Sequence, residues 1–119
     1  MLDHVGLGVK DLEASKAFYV AALAPLDIVV VMEFPGAIGL GTPGRPFFWL
    51  SPEEGSITPI HIAFTADTRA QVDGFHARAL AAGAKDNGAP GLRPHYHPNY
   101  YGAFVIGPDG HNVEAVCHK

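Results

Sequence analysis

Two imidazoles and a carboxylate, on His4, His61 and Glu114, fall at like positions of three short stretches in which apolar residues alternate with others. The two-residue period of a strand puts the apolar side chains of each stretch on one face and the donor on the other. Val5, Leu7 and Val9 alternate with His4, Gly6 and Gly8. Ile60, Ile62 and Phe64 alternate with His61, Ala63 and Thr65, and Val113, Ala115 and Cys117 with Asn112, Glu114 and Val116. Gathered on one concave sheet face, the three donors would form a facial triad for one divalent metal ion, with positions left open for substrate. Nitrogen and carboxylate donors without thiolate suit Fe, Mn, Ni, Co or Zn. Cys117 has the wrong parity to join them.

A second concentration of chemistry lies in Arg93-Pro94-His95-Tyr96-His97-Pro98-Asn99-Tyr100-Tyr101. Its prolines favour an extended path, with His95 and His97 on one side and Tyr96 on the other. A rim loop is expected, in which His97 or Tyr101 serves as general acid or base beside a metal-bound oxygen. Phe47, Trp49 and Tyr100 are candidate walls of a substrate cup, with Arg93 as the cation for an anionic substrate group.

These residues need a scaffold that repeats. Setting His4 on His61 also sets Phe18 on Phe75, Ala22 on Ala79, Leu23 on Leu80 and Ala24 on Ala81. In each half a strand with a histidine runs into a helix whose apolar residues recur at helical spacing: Leu12, Phe18, Tyr19, Ala22 and Leu23, then Val72, Phe75, Ala79 and Leu80. Asp11 is a fitting N-cap for the first helix and Pro25 a stop; Thr68 and Gln71 form a capping box for the second, and Gly83 ends it. Strand-like runs follow at Ile28 to Phe34, Ala37 to Leu40 and Phe47 to Leu50. In the second half Tyr101 to Ile106 and Asn112 to Cys117 flank the Pro108-Asp109-Gly110 turn, while Pro94 and Pro98 leave the middle run open. The order reads as βαβββ twice, an α+β plan with module one at 1–52, a polar link at about 51–59 and module two at 58–119.

Bulk composition removes several classes. A chain of 119 residues with 48% hydrophobic and 17% charged residues is a globular domain that needs neither disulfides nor a structural metal. Net charge is −4 and the 8 basic residues are dispersed, which argues against a nucleic-acid partner or an anionic membrane surface. No apolar run reaches the roughly 18 residues of a membrane helix. The single cysteine and the absence of a signal-peptide pattern after Met1 make the cytoplasm the expected location.

The two histidine positions, together with Pro108-Asp109-Gly110-His111-Asn112-Val113-Glu114 near the end, resemble the vicinal oxygen chelate superfamily, which includes glyoxalase I, extradiol dioxygenases, fosfomycin-resistance transferases and bleomycin-resistance proteins. The resemblance implies paired βαβββ modules whose mixed sheets curl into a cup, with helices on the convex side. It implies His4, His61 and Glu114 as ligands of a divalent metal. It also implies a homodimer in which the first-strand ligand meets the other two across the subunit interface. Glyoxalase I carries a further glutamate at the position that corresponds here to Trp49, so this chain departs from that enzyme. The expected activity is a lyase, isomerase or ring-cleaving dioxygenase acting on a small molecule with vicinal oxygens. The alternatives are a non-catalytic dimer that sequesters an aromatic ligand and, less well supported by the residues, a thiol transferase in which Arg93 would hold a phosphonate.

Overall fold

The computed structural model describes residues 1–119 as two βαβββ modules in tandem, an α+β fold. Module one consists of β1 (Val5–Val9), α1 (Leu12–Leu23), β2 (Val29–Phe34), β3 (Ala37–Thr42) and β4 (Arg45–Pro52). Module two consists of β5 (His61–Thr65), α2 (Arg69–Ala81), β6 (Lys85–Leu92), β7 (Tyr101–Ile106) and β8 (Asn112–Cys117). Each module has its own four-stranded mixed sheet, ordered β1-β4-β3-β2 and β5-β8-β7-β6. The first strand lies parallel to the last, and the other neighbours are antiparallel. No helix is long and apolar enough to cross a membrane.

Local sequence sets the helix limits as expected. The Asp11 carboxylate accepts the Ala14 N–H at 3.0 Å, and α1 gives way at Ala24 to one 3-10 turn containing Pro25. The Thr68–Gln71 capping box is formed in full, satisfying backbone donors at the start of α2. Gly83, at φ +103°, takes the chain out of that helix. Ser15, Phe18, Tyr19, Ala22 and Leu23 form the buried stripe of α1, and Val72, Phe75 and Ala79 that of α2. One continuous core joins the modules: the Phe48 ring of β4 meets Tyr19 of α1 and Phe64 of β5, each edge-on at 5.1 Å.

The run that the sequence left open and the loop after it both take a definite form. Lys85–Leu92 is a strand although Pro90 lies inside it. It is the edge of its sheet, where a missing N–H is tolerated, and its ladder is broken around Gly88 at φ +152°. The segment after β6 does not run extended. It folds as successive turns, with the Tyr96 N–H donating to the Arg93 carbonyl at 2.9 Å and the Tyr100 N–H to the His97 carbonyl at 3.0 Å. An edge strand must reverse here to pair with β7, and that requirement overrides the extended preference of the residues before Pro94 and Pro98.

The modules are clamped by the turn before β8. Asp109 and Gly110 both take positive φ, 65° and 82°, and the Asp109 carboxylate accepts the Lys10 N–H at 3.1 Å, so this turn also holds the end of β1. His111 is buried between the modules. Its Nδ1 accepts the Ile60 N–H at 3.1 Å and its Nε2–H donates to the Gly8 carbonyl at 3.1 Å. One side chain thus satisfies a backbone donor of one module and a backbone acceptor of the other. Replacing it leaves both unpaired, so His111→Ala is expected to lower unfolding free energy by about 2–4 kcal/mol in urea denaturation.

Tyr19 behaves differently. Its ring is fully buried and its hydroxyl has no hydrogen-bond partner. Burial, with the Asp109 charge adding to it, pushes the phenol above its ordinary value of 10.0. A raised folded-state value contributes stability that is complete below pH 10 and is lost as pH rises beyond it. Tyr19→Phe should therefore leave stability at pH 7 unchanged or higher by about 1 kcal/mol and flatten the decline above pH 10, measured as denaturation midpoints across pH.

Candidate functional site

The parallel pairing of β5 with β8 brings two of the three proposed donors together. Ala63 lies opposite Glu114 in this ladder, so His61, two residues earlier on the same face, reaches across one pleat. His61 Nε2 stands 2.8 Å from Glu114 Oε1. The carboxylate is 1% exposed while the imidazole is half open to solvent. Glu114 has a second partner that sequence reading did not give it: the Tyr100 hydroxyl donates to Oε2. Burial and the neighbouring Glu114 charge push the Tyr100 phenol above its usual range, so it remains a donor.

Around this pair lies a half-polar, half-aromatic wall. Phe104 faces Glu114 from β7, and its ring lies 6.1 Å from that of His61. The Arg93 guanidinium sits 5.5 Å above the Phe104 ring and donates to the carbonyls of Ala89 and Gly91. Tyr96 packs on Tyr100 at 5.0 Å, and His118 on the same ring at 5.3 Å. His97 stands on the rim, where its Nδ1 accepts the Asn99 N–H and its ring meets that of His118.

Tyr101 is elsewhere. The sequence suggested it as an acid or base of the cup, but in β7 it shares parity with Ala103 and Val105, whose side chains enter the core. Its hydroxyl donates to Asp73 of α2 at 2.6 Å and Arg69 lies over its ring, on the face opposite Glu114. Of the two adjacent tyrosines, the one just outside the strand is free to turn toward the carboxylate. Sequence parity gives that distinction only once the start of β7 is fixed at Tyr101.

His4, Phe47 and Trp49 belong to module one. His4 precedes β1, is exposed and pairs with Asp3 at 2.7 Å; with Leu2, Arg45 and Phe47 it lines a shallow cleft of about 180 Å³. It does not meet His61 or Glu114 within the chain, and no three His, Cys, Asp or Glu side chains are grouped to hold a metal ion. Strand register nonetheless relates the two sites. Gly6, two residues after His4, lies opposite Trp49, as Ala63, two residues after His61, lies opposite Glu114. Trp49 is therefore the module-one counterpart of Glu114. Its indole lies on Gly39 and stacks with Phe34, centroids 6.2 Å apart and planes 10° from parallel. A Cβ on Gly39 would come within 2.8 Å of the indole. Gly39→Ala should thus lift the sole tryptophan from the sheet at a cost of about 1–3 kcal/mol, seen as a red shift of its emission and a lower denaturation midpoint.

This paired-module architecture is one that known proteins share. The sequence matches the profile of the Glyoxalase/Bleomycin resistance protein/Dioxygenase superfamily over residues 1–115, and the chain belongs to that family. Among solved structures it is similar to a glyoxalase/bleomycin resistance protein from Albidiferax ferrireducens T118, with 30% identity, 98% of each chain covered and a TM-score of 0.86. A glyoxalase/bleomycin resistance protein/dioxygenase family enzyme from Burkholderia phytofirmans PsJN shares the fold at 23% identity and TM-score 0.76, again over 98% of each chain. The oxidase ChaP-H2 is 25% identical, with a TM-score of 0.72 over 98% of this chain and 92% of its own. No curated protein matches the chain.

Proposed function

We propose that this protein is a divalent-metal-dependent enzyme that binds a small substrate through vicinal oxygens, with each site made from His61 and Glu114 of one copy and His4 of a second. The observation that carries this reading is the nearly fully buried Glu114 carboxylate set against His61 Nε2 on an open sheet face. Burying a carboxylate is costly, and here its only side-chain partners are the Tyr100 phenol and the His61 imidazole. The donor chemistry fits a divalent ion of the Fe, Mn, Ni, Co or Zn type. The chain by itself supplies two donors, and exposed His4 is the natural third in a homodimer.

When bound, such an ion would supply Lewis-acid polarisation of the substrate oxygens. Everything else falls to the side chains. Phe104 offers an apolar wall, and Arg93, fixed by two carbonyls, offers a permanent positive charge beside it. His97, on the rim with its Nε2 turned away from its bond to Asn99, is the group able to exchange a proton with solvent. The indole nitrogen of Trp49 has its lone pair tied up in the aromatic system and can serve neither as ligand nor as base, which speaks against glyoxalase I chemistry and leaves lyase, isomerase or ring-cleaving dioxygenase action.

A second reading has its own observation. The Phe34–Trp49 pair lies flat on module one and is partly open to solvent. That platform would suit a planar aromatic ligand held by stacking, as in a sequestering dimer.

Metal analysis with two variants separates these readings. The unmutated protein should carry stoichiometric metal, and His4→Ala and His61→Ala should each lose it. Mixing the two variants should restore roughly a quarter of the sites, because in a symmetric dimer a mixed pair rebuilds one complete site of two. Unmutated protein without metal, stabilised instead by planar aromatic compounds, would support the sequestering reading.

A further inference from the structure

Tyr100 is held more firmly than a surface tyrosine needs to be. Its backbone is fixed at both ends: its N–H donates to the His97 carbonyl at 3.0 Å and its carbonyl accepts the Arg93 N–H at 2.7 Å. Tyr96 and His118 pack edge-on against its ring at 5.0 and 5.3 Å. Beneath it lies Gly102, where a Cβ would stand 3.1 Å from Tyr100 Cε1 and 3.4 Å from Glu114 Oε2. The bare glycine thus gives both the ring and the carboxylate their space. The result is one hydroxyl aimed at one oxygen, Oε2, while Oε1 alone faces His61 Nε2.

We propose that Tyr100 is a positioning residue that occupies Oε2 of Glu114, so that the carboxylate offers a divalent cation a single oxygen, Oε1, beside His61. This rests on the metal reading above and deepens it. A carboxylate free to rotate can bind through both oxygens and take two coordination positions; one tethered at Oε2 takes one. The tether therefore leaves an additional position for a chelating substrate, and it stiffens a ligand whose own side chain has several rotatable bonds. Hydrogen bonds of this kind to metal-binding carboxylates commonly tune affinity by about 10–100-fold.

Cobalt(II) is a suitable probe because its visible absorption reports coordination number. Metal-free protein, Tyr100→Phe and Gly102→Ala would be titrated with Co(II) by calorimetry and by absorption, with thermal melting of each metal-free form as a check on folding. Tyr100→Phe keeps the ring and its packing, and should bind Co(II) about ten-fold more weakly. Its visible bands should also weaken as the freed carboxylate raises the coordination number. Gly102→Ala keeps the hydroxyl but crowds it away from Oε2, and should reproduce the spectral change. Affinity and spectrum like the unmutated protein in a folded Tyr100→Phe would overturn the positioning role while leaving the metal site intact. Unmutated protein that takes up no Co(II) would overturn the metal reading and this role with it.

Discussion

A carboxylate kept out of water is the constraint on which the rest of the molecule depends. Glu114 lies in the middle of β8, between Val113 and Ala115, which are packed into the core. It cannot move to solvent without taking the strand with it. A buried charge must find donors or neutralise, and the fold supplies them from two directions. The parallel neighbour β5 brings His61 across one pleat, and the turns after β6 fold Tyr100 over the other oxygen. The pairing of β5 with β8 and the compact path of residues 93–100 are thus part of one arrangement around a single side chain.

Duplication explains why this arrangement occurs once and not twice. Register makes Trp49 the counterpart of Glu114 and His4 the counterpart of His61, so each module holds the same frame with different chemistry on it. Module one presents an indole and a phenyl ring over glycine; module two presents a carboxylate, an imidazole and a phenol. A strand face can be changed in this way without cost to the core, because the other face of β4, with Phe48 and Leu50, carries the packing. The halves are then locked in relation to one another by His111 and Asp109. Both belong to the turn that leads into β8, so the strand that carries the carboxylate also fixes the module junction.

Patterns that depend on near neighbours were legible in the sequence. Strand parity correctly assigned His61 and Glu114 to one face and Cys117 to the other, because side-chain direction in a strand is a local property. The caps of α1 and α2 were equally plain, as each bonds within four residues. His111 was not legible: its partners are Gly8 and Ile60, far away in the chain, and nothing adjacent marks it. The packing of the His118 ring on Tyr100 and His97 was equally hidden, since neither partner is a near neighbour in the chain.

Tyr100 and Tyr101 mark the boundary most clearly. The sequence determined the tandem βαβββ plan, the family, and the parity of the donors, since periodicity, caps and turns are written residue by residue. Only the tertiary structure decided which tyrosine meets the carboxylate. That choice depends on where β7 begins to pair with β8 and on how the preceding turns bring the chain back over the sheet. The same is true of His4: its type and spacing match those of His61, but each module closes its own sheet, and two separate ladders leave the two histidines apart within one chain.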